Sequence, residues 1–367
     1  MTYTTAAVAA VRTSATGPGL DRTSIGLDGW GRLADHWAVS AAASPVEPGT
    51  FSLAAPPLLA ALAPARSVLI AGAGGGFDVY AGLPLALALW HGGVQVHLAN
   101  LSFSQLELLD LDTWAAENVA AVTPESASPD WYFPERTLAR WLAAHELPAT
   151  VYAFPPLGVQ PLRAAYQHLI ERLDIDAVVL VDGGTDIMLR GDESGLGTPV
   201  EDITSLAAVA GLDVAVKLVT CLGFGIDAYH GVNHVQVLEN FAALDRDGGY
   251  LGALSIPGAS REAVLYRDAV ADAQAATPAR PSIVNGQIAA ATSGAFGDVQ
   301  FTRRTSGSPL FVNPLMAIYF TVDLDKLAAR CLYLARLENT YGRRQVIGRI
   351  EAFRNETSTR IPRAFPH

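Results

Sequence analysis

The stretch SVLIAGAGGGFDVYAGLPLALAL, Ser67 to Leu89, decides the fold. After Ser67 comes a short apolar run, Val68 to Ala71, with the β-branched content of a buried strand. Glycines follow at Gly72, Gly74, Gly75 and Gly76, and then an apolar segment of helical length. Strand, glycine turn and helix in that order open a β-α-β unit.

The same alternation continues outward. Strand-like runs recur at Val94–Ala99, Thr150–Phe154, Ala177–Val181, Ala215–Thr220, Tyr250–Ser255 and Met316–Val322. Amphipathic segments lie between and after them, at Val79–Leu89, Phe133–His145, Pro161–Arg172, Glu201–Ala210, Val232–Leu244, Arg261–Ala273, Leu324–Leu337 and Arg343–Phe353. Strands apolar on both faces belong in a parallel sheet covered by helices. The expected fold is therefore α/β: a three-layer α/β/α sandwich on a mostly parallel, Rossmann-like sheet. One such domain is expected over 51–355, with a mobile or peripheral segment at 1–50 and a tail at 356–367. The polar, Gly/Pro-rich stretches are Thr123–Asp130, Gly191–Pro199 and Thr277–Pro309. The last is long enough to read as a lid or binding loop, carrying Asn285, Ser293 and Asp298.

Composition narrows the partners. Half of the 367 residues are hydrophobic, 17% are charged, and the formal net charge is −11. A chain so acidic lacks the basic face that nucleic acid or an anionic membrane requires. No run approaches a membrane span, and the N-terminus lacks the basic start of a signal peptide. Cys221 and Cys331 sit in apolar runs without metal spacing, so they read as buried free thiols. The expectation is a cytoplasmic protein acting on a small polar metabolite, with a homo-oligomer left open.

The glycine loop matches neither standard nucleotide fingerprint. Counted from Gly72, the third glycine of G-x-G-x-x-G falls on Phe77, and no Gly-Lys-Ser/Thr follows. The spacing Gly72-x-Gly74-x-Gly76 resembles the loop of S-adenosylmethionine methyltransferases. That resemblance implies an acid at position 70 and another closing the second strand; Ile70 and Asn100 stand there instead. Four glycines still let a ligand approach the backbone closely. Asp78, in the first helical turn, would repel a bare phosphate, so it reads as a cap, a grip on a cationic or hydroxylated ligand, or a metal ligand. The cofactor-binding candidates are Gly72, Gly74, Gly75, Gly76, Asp78 and Asn100. LIAGAGGGFDVYAGLPLALAL together with VDGGTDIMLRGDE (181–193) also resembles a bacterial and archaeal family described only as domain of unknown function 1152. The likeness runs from about Ser67 to about Arg336, and the family name implies a coherent fold but no reaction.

VDGGTDIMLRGDE places Asp182 and Asp186 just past a strand, with Gly183 and Gly184 between them. Open α/β sheets bind ligands beyond their carboxyl edges. Clustered carboxylates there hold Mg²⁺ or Mn²⁺, share protons, or grip amines and hydroxyls. Asp192 and Glu193, further on, read as solvated. The stretch VTCLGFGIDAYHGVNHVQVLENF (219–241) ends another strand in a glycine turn, then offers Asp227, His230, Asn233 and His234. If the helix begins by Gly231, the two histidines share one face, as metal ligands or acid/base groups. Arg303 and Arg304, in a long loop, suit a substrate carboxylate or phosphate. Trp131, Tyr132 and Phe133 read as packing residues at a helix start.

The catalytic candidates are thus Asp182, Asp186, Asp227, His230 and His234, with Asp182 and Asp186 as metal ligands. Arg303, Arg304 and Asn233 are the substrate-binding candidates. Three glycine turns following parallel strands would gather these groups at one edge. The expected activity is acid/base or divalent-metal-assisted hydrolysis or group transfer. A nucleotide- or S-adenosylmethionine-binding enzyme ranks second, and a non-catalytic metabolite-binding protein third.

Overall fold

The computed structural model describes residues 54–129, 131–300 and 310–365. Strands β1 (Ser67–Gly72), β2 (Gln95–Leu101), β3 (Trp114–Ala116), β4 (Val119–Val122), β5 (Val151–Phe154), β6 (Ala177–Asp182), β7 (Val216–Cys221), β8 (Tyr250–Ser255) and β11 (Ile318–Asp323) form one sheet; β9 (Gly297–Asp298) pairs separately with β10 (Phe311–Val312). The order across the large sheet is β3-β4-β5-β2-β1-β6-β7-β11-β8. The five strands from β5 to β7 are mutually parallel, and β11 and the β3–β4 hairpin run against their neighbours. Without that hairpin and β11, the order by appearance is 3-2-1-4-5-6, the doubly wound Rossmann order. The order reverses between β1 and β6, which is where such sheets open a crevice at their carboxyl ends.

The helices are α1 (Pro57–Leu62), α2 (Asp78–Ala81), α3 (Leu83–His91), α4 (Pro134–Ala144), α5 (Val159–Arg172), α6 (Pro199–Ala210), α7 (His234–Arg246), α8 (Arg261–Ala276), α9 (Ile283–Thr292), α10 (Leu324–Arg330), α11 (Leu334–Leu337) and α12 (Arg343–Glu356). Alternation along the central strands separates two layers. Leu69 and Ala71 of β1, with Val178 and Leu180 of β6, pack with α5, α6, α7 and α12. Val68 and Ile70, with Val179 and Val181, pack with α1, α2, α3, α4 and α8. This is the three-layer α/β/α arrangement. Among the described residues no helix is long and apolar enough to cross a membrane.

The structure departs from the periodicity in four places. The helix expected over 79–89 divides at Gly82, where a β-carbon would sit 2.6 Å from Ile70 Cγ2, so α2 lies hard against β1. The helix expected over 324–337 divides at Cys331, whose backbone is extended. The Ala-rich β3–β4 hairpin has no apolar alternation to announce it. The stretch 277–309 is not wholly loop, because Ser282 accepts a bond from the Asn285 amide and starts α9.

The described end of the chain is bound down. Arg360 reaches Asp192, Glu193 and Glu239, and its amide donates to the Asp192 carbonyl. Glu193 is fully buried, accepting also from the amides of Arg190 and Gly191 and from Asn240 Nδ2. The solvated reading of Glu193 is therefore wrong; a charge with four donors is stable inside.

Candidate metal centre and adjoining cavity

The crevice is built from the loops after β1 and β6. Ala73 donates to the Val181 carbonyl and Gly76 to the Leu101 carbonyl, so the glycine loop is tied to the ends of both neighbouring strands. Asp78 opens α2 and accepts the Gly74 amide at 2.7 Å. Asp182 ends β6 and accepts the Ile187 amide at 3.3 Å. Asp202 stands in the first turn of α6. One oxygen from each of these three carboxylates lies within 4.8 Å of the others, close enough for one cation. Asp202 is 2% exposed, and its Oδ1 has no hydrogen-bond partner. A buried carboxylate oxygen left bare is costly unless something else meets it.

Two further acids surround this trio. Asp186 Oδ2 accepts the Thr198 amide at 2.7 Å and its hydroxyl at 3.2 Å. Asp227 Oδ2 accepts the Thr185 amide at 2.6 Å. Glycines make room for them. A β-carbon on Gly184 would lie 2.7 Å from Asp227 Oδ2, and one on Gly197, where φ is +65°, would lie 2.3 Å from Asp186 Oδ2. The Gly183–Gly184 pair is therefore explained by the carboxylates it admits.

Burial and mutual repulsion push these acids up together. The carboxyl of Asp78 is raised to about 7, chiefly by burial and then by Asp186 and Glu201, against the lowering effect of the Gly74 and Gly183 amides. Asp182, Asp202 and Asp227 are held well above the carboxylate range, by burial first and by their acidic neighbours next. Asp186 is raised less, being relieved by Thr198 and by His230. Among the described residues no ion pair reaches any of the five. So many acids without a counter-charge are held protonated or by a cation.

Beside Asp78 opens a cavity of about 740 Å³. Gly75, Gly76, Phe103 and Tyr132 form one wall, and Arg280 with Ser282–Val284 at the start of α9 forms the other.

The structure gathers Asp78, Asp182, Asp186 and Asp227, and the exposed His230 is near enough to Asp186 to lower its carboxyl. It separates the remaining candidates. His230 ends a 3₁₀ turn, Gly231 breaks the backbone at φ +82°, and α7 begins only at His234. The two histidines therefore share no helical face. His234 lies tilted against the Phe224 ring and faces a smaller hollow with Asn313 and Gln287. Asn233 caps α7 and donates to the Arg363 carbonyl. Asn100 is fully buried; its Nδ2 donates to the Gly76 carbonyl at 2.7 Å and to Glu135 Oε1 at 2.6 Å, so it braces the loop from behind. Gly72 faces Asn100, and Gly75 and Gly76 face the cavity. Arg303 and Arg304 lie outside the described residues.

Asp202, Glu135 and Phe103 are the parts that the sequence pattern did not single out, and Tyr132, read there as a packing residue, lines the cavity. Asp202 follows Pro199 and Glu201 in a first helical turn, where acids are ordinary complements of the helix dipole. Glu135 is placed the same way in α4. Only the sheet topology brings Asp202 to the glycine loop.

Comparison with curated proteins and with solved structures gave no match. A family model described as "Protein of unknown function (DUF1152)" matches residues 69–346. That span runs from within β1 to the first turn of α12, including every carboxylate of the cluster, and the chain belongs to this family.

Proposed function

We propose that the protein is a divalent-metal enzyme that hydrolyses a small polar metabolite or transfers a group from it. The observation that carries this reading is the convergence of Asp78, Asp182 and Asp202, with Asp202 Oδ1 bare and no basic partner among the described residues. Hard oxygen ligands of this kind suit Mg²⁺ or Mn²⁺. A cation so held polarises a carbonyl or phosphoryl oxygen and offsets developing charge. Asp78 is the half-buried member, reaching both the trio and the cavity. Its raised pKa makes it able to hold or release a proton near neutral pH. Asp186, whose carboxyl burial raises against the relief of Thr198 and His230, stands next to the trio as a second acid.

A thermal melt in chelator and then with Mg²⁺, Mn²⁺ or Zn²⁺ tests the reading. A cation at a hundred times its dissociation constant stabilises by about 2.7 kcal/mol. The shift should vanish in Asp182→Asn, and its absence from the unaltered protein would end the metal reading.

A second reading is an enzyme that binds S-adenosylmethionine or a nucleotide at the glycine loop. The Rossmann strand order and the cavity on Gly75 and Gly76 favour it. Acids around a cationic sulfonium would need no metal. Stabilisation by S-adenosylmethionine in chelator would put this reading first.

A further inference from the structure

The two walls of the cavity differ in kind. On one, Phe103 is 44% exposed, large for an aromatic ring in a concave site. It rests on the glycine loop: a β-carbon on Gly75 would sit 2.9 Å from its Cζ. Tyr132 is equally close, its hydroxyl 2.8 Å from a β-carbon on Gly76. Both glycines have positive φ, so loop and rings are matched to one another. The result is a ring-faced wall that ends at Asp78.

The lining contributed by Arg280 and the start of α9 carries donors and a positive charge. Ser282 accepts the Asn285 amide, which leaves the amides of Ile283 and Val284 without a partner among the described residues. Asn285, 1% exposed, donates to the Phe77 carbonyl at 3.0 Å and so locks α9 to the end of the glycine loop. Val284 packs against Gly183, whose β-carbon position lies 3.0 Å from Asp78 Oδ1. The start of α9 thus stands beside the acidic trio. Arg280 lies over the Trp131 ring at 5.0 Å and pairs with no carboxylate among the described residues.

We propose that this cavity takes a nucleoside phosphate, with the base against Phe103 and Tyr132 and the phosphate between the carboxylate-held cation and the start of α9. The inference rests on the metal reading above, because bare carboxylates repel phosphate and only a cation between them reverses the sign. Free helix amides and an unpaired arginine then complete the anion's surroundings. Stacking on aromatic side chains accepts any base, and a cavity of about 740 Å³ is of the size that holds such a ligand.

The test is calorimetric titration of the full chain with ADP, adenosine and ribose 5-phosphate, in chelator and in Mn²⁺, alongside titration with Mn²⁺ alone. ADP should bind in Mn²⁺ and not in chelator, and more tightly than either fragment. Phe103→Ala should weaken ADP roughly tenfold or more while leaving the Mn²⁺ titration unchanged. Arg280→Ala, at an exposed position, should weaken ADP and ribose 5-phosphate but not adenosine. Mn²⁺ binding with no binding of ADP, GDP or CDP would overturn the nucleotide and leave the metal. An unchanged ADP affinity in Phe103→Ala would overturn the ring wall. Failure of Mn²⁺ itself would overturn the metal reading and this inference with it.

Discussion

The carboxylates of Asp78 and Asp202 close on Gly74 from two sides: a β-carbon there would stand 2.6 Å from Asp78 Oδ2 and 2.7 Å from Asp202 Oδ1. One acid comes from the helix after β1 and the other from the helix after β6, 124 positions further along the chain. Gly74 is the residue that lets them meet. Gly74→Ala should therefore spread the trio and weaken Mn²⁺ binding by at least about tenfold, the difference that some 1.4 kcal/mol makes. Circular dichroism should show the fold intact, since the loop stays anchored through Ala73 and Gly76.

Without metal, the cluster opposes folding. Asp202→Asn keeps the shape and removes a group whose burial and acidic neighbours disfavour its charge. In chelator at pH 8 the variant should be more stable than the unaltered protein by about 1 kcal/mol or more in urea unfolding. With Mn²⁺ the order should reverse. A variant less stable in chelator would mean that Asp202 has a structural partner.

The pH dependence has a definite sign. Asp78 is raised from 3.8 to about 7, so between these values the folded chain holds a proton that the unfolded chain has lost. Folding stability in chelator should then fall as pH rises through that window and level off above it. Metal binding runs the other way, because it needs the ionised carboxylate. Mn²⁺ affinity should rise about tenfold between pH 6 and 8 on Asp78 alone. Urea unfolding and Mn²⁺ titration across the range check both slopes.

Arg360→Ala should destabilise the fold without touching the cluster. It leaves the fully buried Glu193 with its amide and Asn240 donors but no ion-pair partner among the described residues. Partial loss of this kind should cost about 2–3 kcal/mol by chemical denaturation, somewhat below the loss of a whole buried pair. Mn²⁺ affinity should stay unchanged.

The apolar runs at 68–71 and 177–181 were legible as strands because both faces are buried, and apolar continuity is the mark of that position. The β3–β4 hairpin was not, because Ala115, Ala116, Ala120 and Ala121 carry no alternation. Asp182, Asp186 and Asp227 were legible as site candidates because each follows a strand and sits by glycine. Asp202 was hidden, being local to its own helix start and joined to the loop only through sheet topology. The histidine pair failed on local geometry: Gly231 ends the turn before α7 begins, so a spacing of four crosses a break instead of spanning a helix turn.

The most direct test is electron paramagnetic titration of metal-free protein with Mn²⁺, for the unaltered chain, Asp182→Asn and Asp202→Asn. Free Mn²⁺ gives a sharp six-line signal that broadens on binding. The expected result is saturable loss of that signal in the unaltered protein, and its persistence in both variants. A full free signal at every ratio of metal to unaltered protein, or equal binding by all three proteins, would contradict a metal centre at Asp78, Asp182 and Asp202.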